Sequence, residues 1–308
     1  MLQILIIISP LFFIIFASAL VQRLTHVGDT WHHVLNSFAF NIGLPALIFS
    51  TLIHASFSFR DEAGLIVINS LFILISLGLA IAIGKLFRLR QQQFLTLFIC
   101  FCFGNIAYLG IPVLSHVAGS SILPRVSLII AIHLFWIFSV AIAYLDFSKQ
   151  KNKRHIAKNI FKNLYKNPLL MSVFVGLLIS IFSIPVPTFI QSSFTMLSAS
   201  VTPIVLIVIG LFIGSSHIGN IREWIPVFVF SIITLFILPA LVYVFLLWTS
   251  IPPRLYFSTI IEAAMPLAIT PFALADIYQL DKTFIARSIV LSTTLSIISL
   301  PFWIFIIG

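Results

Sequence analysis

The stretch FGNIAYLGIPVLSH, from Phe103 to His116, places two glycines, an asparagine and a proline within nine residues of a long apolar run. Proline lacks an amide hydrogen and its ring clashes with the preceding turn, so a helix is expected to break here. In apolar surroundings such a break leaves backbone groups without hydrogen-bond partners, at considerable cost. The stretch therefore predicts a broken helix with a polar site inside an apolar bundle.

The sequence around this stretch has the composition of an integral membrane protein. Of its 308 residues, 60% are hydrophobic and only 8% are charged, too few charges to keep so much apolar surface in water. The apolar segments are unbroken runs of roughly 20 residues and not short alternating strands. They predict an all-α membrane protein with ten transmembrane helices. The predicted spans are 3–21, 33–54, 63–84, 94–118, 125–147, 167–185, 189–214, 223–248, 255–279 and 285–307.

The basic residues indicate the orientation of these spans. With the N-terminus outside, 14 of the 17 Lys and Arg residues fall in cytoplasmic loops, as the positive-inside rule requires. Seven of them lie in the segment 149–166, whose apolar residues recur at helical spacing. We expect both termini outside and a basic, amphipathic linker helix on anionic lipid. The net charge of +9 thus reflects topology and not binding to nucleic acid.

Two halves of the chain resemble each other. Pro10 and Pro168 are 158 residues apart, and so are Pro45 and Pro203. With five helices in each half, the second half crosses the membrane upside down relative to the first, as in many secondary transporters. We therefore divide the chain into a first repeat at 1–148, a linker at 149–166 and a second, inverted repeat at 167–308.

The fourth helix of each repeat carries a predicted break. In the ninth helix the sequence EAAMP, residues 262–266, is followed by Pro271. Pro112 and Pro271 suit the first turn of a second half-helix, whose N-terminus carries partial positive charge and attracts anions. The alternative is that these prolines only serve packing, which is common for a single transmembrane proline. Breaks at corresponding places in both repeats favour a binding site with crossing helices 4 and 9.

These motifs resemble those of the auxin efflux carrier family, which includes bacterial permeases. The family's asparagine, followed seven residues later by the proline of Gly-Ile-Pro, is similar to Asn105 and residues 110–112 here. Its ninth-helix pattern is similar to MPLAITPF at 265–272 together with Asp276. Similar shorter stretches are LPA at 44–46, TPI at 202–204 and LSTT at 291–294.

The resemblance implies a carrier of small organic anions, such as auxin-like acids and dicarboxylates, in the inner membrane of a bacterium. It implies an elevator mechanism in which helices 1, 2, 6 and 7 form the scaffold, and a homodimer. The substrate would bind where the broken helices cross. The expected substrate-binding residues are Gly104, Asn105, Gly110, Ile111, Pro112, Pro266, Ala268, Thr270 and Pro271.

Two acidic residues are candidates for coupling transport to an ion such as H⁺ or Na⁺. Glu262 is the most interior acid, and apolar surroundings disfavour the charged form of a carboxyl group, so it can bind a proton. It can equally be a carboxylate in a water-filled vestibule. Asp276 lies near Lys282 and Arg287, and an interfacial ion pair explains it better than coupling.

Other functions are less well supported by the sequence. No phosphate-binding loop of the GxxxxGK[ST] type is present, and no nucleophile with an acid or base indicates an enzyme. The histidines His26, His32 and His33 lack the acids or cysteines of a metal site, so no cofactor is expected, and His133 and Trp136 are expected to be packing residues. The alternatives are a sodium- or proton-coupled symporter or antiporter of related fold, and a membrane receptor without transport.

Overall fold

The computed structural model describes residues 2–25, 29–55, 59–149, 156–216, 221–249 and 256–308. Within these ranges the chain is helical and contains no strands; one isolated antiparallel bridge joins Gly104 and Leu267. The helices are α1 Leu2–Thr25, α2 Asp29–Phe38, α3 Leu44–Leu52, α4 Phe59–Leu86, α5 Gln91–Cys102, α6 Ile111–Ala118, α7 Leu123–Trp136, α8 Ala143–Lys149, α9 Ile156–Lys166, α10 Pro168–Ile181, α11 Thr188–Ala199, α12 Val201–Ser215, α13 Ile225–Ile232, α14 Leu238–Trp248, α15 Phe257–Ala263, α16 Thr270–Tyr278 and α17 Lys282–Ile307.

Seven helical segments in the described ranges are long and apolar enough to cross a membrane. An eighth span results if α9 and α10, which meet at an angle of 69°, are counted together. The bend falls at Asn167, whose side-chain oxygen caps α10 by accepting hydrogen bonds from the amides of Leu169 and Leu170. The sequence-based prediction of an all-helical membrane protein is therefore confirmed.

In the described parts of the chain, four π-helical turns interrupt the longer helices, and three of them precede a proline. The turns Ala39–Gly43, Ile106–Gly110 and Ile233–Ile237 each run directly into an α-helix whose second residue is proline. A proline donates no hydrogen bond to the carbonyl four residues earlier and its ring crowds that carbonyl. A π turn widens the helix just before the proline, so the chain stays helical where the sequence suggests a break.

The helices pack into two groups. In the first, α1 packs along α12, α2 also packs on α12, and α3 packs against α10 and α11. The helices α1 and α12 approach each other closely at Gly210 and Gly214, which form a small-xxx-small motif. A Cβ on Gly214 would lie 2.5 Å from the carbonyl oxygen of Ala19. Only glycine allows the two backbones to come this close.

The second group contains the two interrupted helices. Here α4 packs on α5 and α7, α13 packs on α17, and α15 contacts α4, α7, α14 and α17. The two groups meet where α1 contacts α6 and α17, where α3 and α10 contact α7, and where α12 contacts the π turn Ile106–Gly110. The broken helices therefore lie against the interface between the two groups.

The predicted linker helix is present as α9. Its ring side chains Phe161 and Tyr165 stack on one face and are exposed, as expected for an amphipathic helix at a lipid surface. Residues 150–155 of the linker and His26 of the predicted histidine group lie outside the described residues.

Candidate functional site

The two broken helices meet backbone to backbone. The α5 helix ends at Cys102 and α15 ends at Ala263, and the segments that follow run antiparallel. The amide of Asn105 donates to the carbonyl of Pro266 at 2.7 Å, and the amide of Ala268 donates to the carbonyl of Phe103 at 2.9 Å. Each break thus satisfies backbone groups that the other break has freed.

The second half of each broken helix begins beside this crossing. After the first break, helical structure resumes at Ile106, and the carbonyl of Asn105 accepts bonds from the amides of Leu109 and Gly110. The half-helix therefore starts six residues before Pro112, which lies in a continuous helix and not in its first turn. After the second break, α16 starts at Thr270 with Pro271 in its first turn, as the sequence predicts.

A cavity of about 250 Å³, which we call the crossing cavity, lies next to both half-helix starts. Its lining comes from both helix groups and combines apolar side chains with amides and hydroxyls. Its polar lining residues are Asn36, Asn105, Tyr108, Asn167 and Thr270. No residue of the described lining carries a charged side chain. The volume suits a solute smaller than a typical drug molecule.

Asn105 is the polar residue at the centre of this arrangement. It is only 3% exposed, and its side-chain nitrogen has no hydrogen-bond partner among the described residues. Leaving a buried donor unpaired costs about 1–3 kcal/mol. Asn105 lines the crossing cavity close to the positive ends of two helices, and a side-chain amide is a hydrogen-bond donor that suits a carboxylate.

The expected substrate-binding residues are divided between two sides of the crossing. Gly104, Asn105, Ala268 and Thr270 line the crossing cavity, together with Ile269. The other expected residues are absent from that lining; they are Gly110, Ile111, Pro112, Pro266 and Pro271. Pro266 contributes its carbonyl to the crossing itself, and Gly110 lies against Glu262.

Glu262 is buried in the protein interior. It is 1% exposed, and neither carboxyl oxygen has a hydrogen-bond partner among the described residues. Its carboxyl group rests on Gly110, where an added Cβ would lie 2.7 Å from Oε2. The position is therefore not the water-filled vestibule that the sequence left as an alternative.

Asp276 has a different environment at the end of the same interrupted helix. Its side chain is 74% exposed and pairs with Nζ of Lys282 at 2.7 Å. Arg287, the other neighbouring base, pairs instead with Glu223 at 2.5 Å. The pair of Asp276 with Lys282 is exposed on both sides, and exposed pairs contribute little free energy.

Two polar contacts near the crossing were not predicted from the sequence. The hydroxyl of Tyr108 donates to Oδ1 of Asn36 at 2.8 Å and so connects the two helix groups. His133, expected to be a packing residue, contacts Oδ1 of Asn69 at 3.2 Å. These pairs are 72 and 64 residues apart, and no local pattern in the sequence connects them.

A helical membrane protein with two interrupted helices that cross at an uncharged polar cavity is typical of transporters. Comparison with known proteins agrees, since the model of the membrane transport protein family matches residues 3–304. The chain belongs to this family, the auxin efflux carrier family.

Three relatives are similar over most of their length. An uncharacterized transporter of Methanocaldococcus jannaschii is 26% identical over 88% of this chain and 88% of its own. A Rhizobium meliloti protein named "Putative malonate transporter" is 25% identical over 94% of this chain and 91% of its own. An uncharacterized transporter of Methanothermobacter thermautotrophicus is 24% identical over 90% and 89%.

Proposed function

We propose that this protein is a secondary transporter for a small organic anion, a carboxylate, which binds in the crossing cavity. The observation that carries the proposal is the buried, unpaired amide donor of Asn105 between two half-helix starts. A carboxylate accepts hydrogen bonds and carries the charge that helix N-termini favour. The name of the Rhizobium meliloti relative, which includes malonate, supports the same class of solute.

The cavity favours one carboxylate group over two. Its described lining contains amides and hydroxyls but no basic side chain, so hydrogen bonds and helix ends have to balance the charge of the solute. One negative charge is easier to hold in this way than two. A dicarboxylate such as malonate would bind with its second group protonated or paired with a cation.

The arrangement of the helices supports an elevator mechanism. Helices α1, α2, α3, α10, α11 and α12 pack into one group, which matches predicted spans 1, 2, 6 and 7 and serves as the scaffold. The interrupted helices belong to the other group, and the cavity is lined from both sides. Movement of the second group against the first would expose the cavity to each side of the membrane in turn.

The proposal includes a membrane topology. It comprises ten spans as two inverted repeats, 1–148 and 167–308, with α5–α6 and α15–α16 as helices 4 and 9. Both termini lie outside the cytoplasm, in a bacterial inner membrane, and the linker contacts anionic lipid. We further propose that the protein forms a homodimer and that transport is coupled to H⁺ or Na⁺. Glu262 is a better candidate for coupling than Asp276, because Asp276 is exposed and already paired.

Thermal stabilisation of the purified protein by acetate, malonate and succinate tests the proposal. A ligand that binds only the folded state stabilises it by about 2.7 kcal/mol at 100 times its dissociation constant. We expect at least one acid to raise the melting temperature of the wild type but not of Asn105→Ala. The control is Asn41→Ala, since Asn41 is exposed and, among the residues that the structure describes, its side chain bonds only to Ser37.

The outcomes separate clearly. Stabilisation that is kept in Asn41→Ala and lost in Asn105→Ala supports binding at the crossing. Equal stabilisation of Asn105→Ala and the wild type would place the acid elsewhere, and no stabilisation by any of the three acids would contradict a carboxylate of this size as the solute.

A further inference from the structure

The crossing cavity has a second set of polar side chains besides those at the half-helix starts. They are Asn36 in α2, Tyr108 in the first π turn of the second helix group and Asn167 at the start of α10. We call these three residues the Asn36 cluster. Asn36 and Asn167 belong to the first helix group, whereas the half-helix starts belong to the second. The cavity therefore presents polar groups to a solute from both helix groups.

Asn167 closes the start of α10 with its own side chain. Its Oδ1 accepts hydrogen bonds from the backbone amides of Leu169 and Leu170 at 3.0 and 3.1 Å. Its carbonyl accepts from the amide of Met171 at 3.0 Å, and Pro168 has no amide hydrogen. The first turn of α10 therefore has no backbone amide left for a bound anion.

The same bonds determine which atom of Asn167 is unpaired. Backbone amides only donate, so the bonded atom is Oδ1 and the other atom is Nδ2. Nδ2 has no hydrogen-bond partner in the described parts of the chain, although Asn167 is only 5% exposed. This nitrogen keeps accessible surface, and the residue lines the crossing cavity. A solute oxygen in the cavity would satisfy this donor, whose unpaired state is unfavourable.

Asn36 provides a second donor. The hydroxyl of Tyr108 donates to Oδ1 of Asn36 at 2.8 Å, so Nδ2 of Asn36 is the atom without a partner among the residues that the structure describes. The oxygen of Tyr108 can still accept a hydrogen bond. The Asn36 cluster therefore combines two donors and one acceptor, and it carries no charge.

The half-helix starts differ from the start of α10, because neither has a side-chain cap. Their partial positive charge is therefore not occupied by a side chain of the protein and suits a carboxylate. The charged group of a solute belongs beside Asn105, which leaves the uncharged part of the solute for the Asn36 cluster. Neutral amides bind an uncharged oxygen without leaving an unbalanced charge in the interior.

We propose that the Asn36 cluster recognises an uncharged oxygen of the solute, a hydroxyl or carbonyl group, at a distance from the carboxylate. Nδ2 of Asn36 and Nδ2 of Asn167 donate to this oxygen, and a hydroxyl on the solute can also donate to the oxygen of Tyr108. The solute is thus a short monocarboxylate with a hydroxyl or carbonyl substituent. A dicarboxylate fits the same description when its second carboxyl group is protonated.

This inference rests on the proposed function, for which it names the solute class and two specificity-determining residues, Asn36 and Asn167. Tyr108 follows Asn105 by three residues, roughly one helical turn of about 5 Å, and an oxygen on the third or fourth carbon of an acid lies about this far from the carboxylate. Because Asn36 and Asn167 lie in the other helix group, movement of the second group would separate the carboxylate from these two donors.

Titration of the purified full-length protein with butyrate, 3-hydroxybutyrate and 4-hydroxybutyrate, followed by the melting temperature, tests the proposal. The three acids have the same charge and carbon chain and differ only in the hydroxyl group. One net hydrogen bond lowers the dissociation constant by about two- to tenfold. We expect at least one hydroxy acid to bind more tightly than butyrate by this factor. Equal binding of all three acids, or tighter binding of butyrate, would overturn the proposal.

Two substitutions test the donors individually. Asn167→Ser removes Nδ2, and serine caps a helix about as well as asparagine; Asn36→Ala removes the other donor. Each should lower the ratio of the dissociation constants of butyrate and the hydroxy acid by at least about twofold, with butyrate binding unchanged. Asn41→Ser is the matched control, since Asn41 is exposed and is absent from the lining of the crossing cavity. A ratio that either variant leaves unchanged would overturn the assignment of that residue.

The same titrations distinguish failure of this inference from failure of the proposed function. If the three acids stabilise the wild type equally and Asn105→Ala loses that stabilisation, the carboxylate site stands and the Asn36 cluster is not a recognition site. If neither these acids nor acetate, malonate and succinate stabilise the protein, the proposed carboxylate solute falls, and this inference falls with it.

Discussion

Replacing Gly110 with alanine tests whether the carboxyl group of Glu262 rests against the half-helix after the first break. An ideal Cβ at Gly110 lies 2.7 Å from Oε2 and 2.8 Å from Oε1, whereas ordinary contacts begin near 3.4 Å. The carboxyl group would have to move by about 0.7 Å in a closely packed interior. Overpacking of this kind costs about 1–3 kcal/mol.

The backbone contributes in the opposite direction. Gly110 has helical dihedral angles, with φ −61° and ψ −48°, and alanine is favoured over glycine in a helix by about 0.5–1 kcal/mol. In the wild type the clash outweighs this gain, and we expect a net destabilisation of up to about 2 kcal/mol. In Glu262→Ala the clash is absent, so the same substitution should stabilise the protein by about 0.5–1 kcal/mol.

The assay is a double-mutant cycle of unfolding free energies, measured in detergent for the wild type, each single variant and the double variant. Gly78→Ala is the matched control, since a Cβ at Gly78 has no heavy atom within 4 Å, and it should give a small gain in both backgrounds. The sign of the Gly110→Ala effect should reverse between backgrounds. An equal loss in both would show that the new methyl group meets something other than Glu262, and the reasoning would be refuted.

Three further substitutions test other contacts. Gly214→Ala places a methyl group against the backbone of α1 and should lower the unfolding free energy by about 1–3 kcal/mol; unchanged stability would contradict close packing of α1 on α12. Tyr108→Phe removes the bond to Asn36, so it should reduce stabilisation by the bound acid while costing only about 0.5–1.5 kcal/mol of stability. Asn69→Leu leaves Nε2 of His133 and Oγ1 of Thr259 without their partner and should cost about 1–3 kcal/mol; a cost below this range would show that these bonds are weak.

Much of the fold follows from local features of the sequence. Long apolar runs predict helices in a membrane because their length and composition allow little else. The glycine and asparagine at 104–105 and the prolines at 266 and 271 predict interruptions, and the chain is interrupted at both places. The linker helix follows from its apolar residues at helical spacing. In each case one short segment contains the whole signal.

The remaining features depend on more than one segment. Pro112 predicts a helix start, but the π turn before it lets the helix begin at Ile106, and a proline by itself does not determine whether the helix before it breaks or widens. The contacts of Glu262 with Gly110, and of His133 with Asn69, join residues far apart in the chain. The spacing of Gly210 and Gly214, in contrast, is a local signal for close helix packing, and it was available from the sequence alone.

The crossing of the broken helices is made by main-chain groups, since amides at Asn105 and Ala268 donate to carbonyls at Pro266 and Phe103. Any residue other than proline supplies such an amide, and every residue supplies a carbonyl. The side chains that face the cavity can therefore be exchanged one at a time while the joint between the two halves is kept. If the cavity binds the solute as proposed, the chain can acquire a new solute by point substitution, because the cavity is shaped by side chains and the joint between the broken helices is made by the main chain.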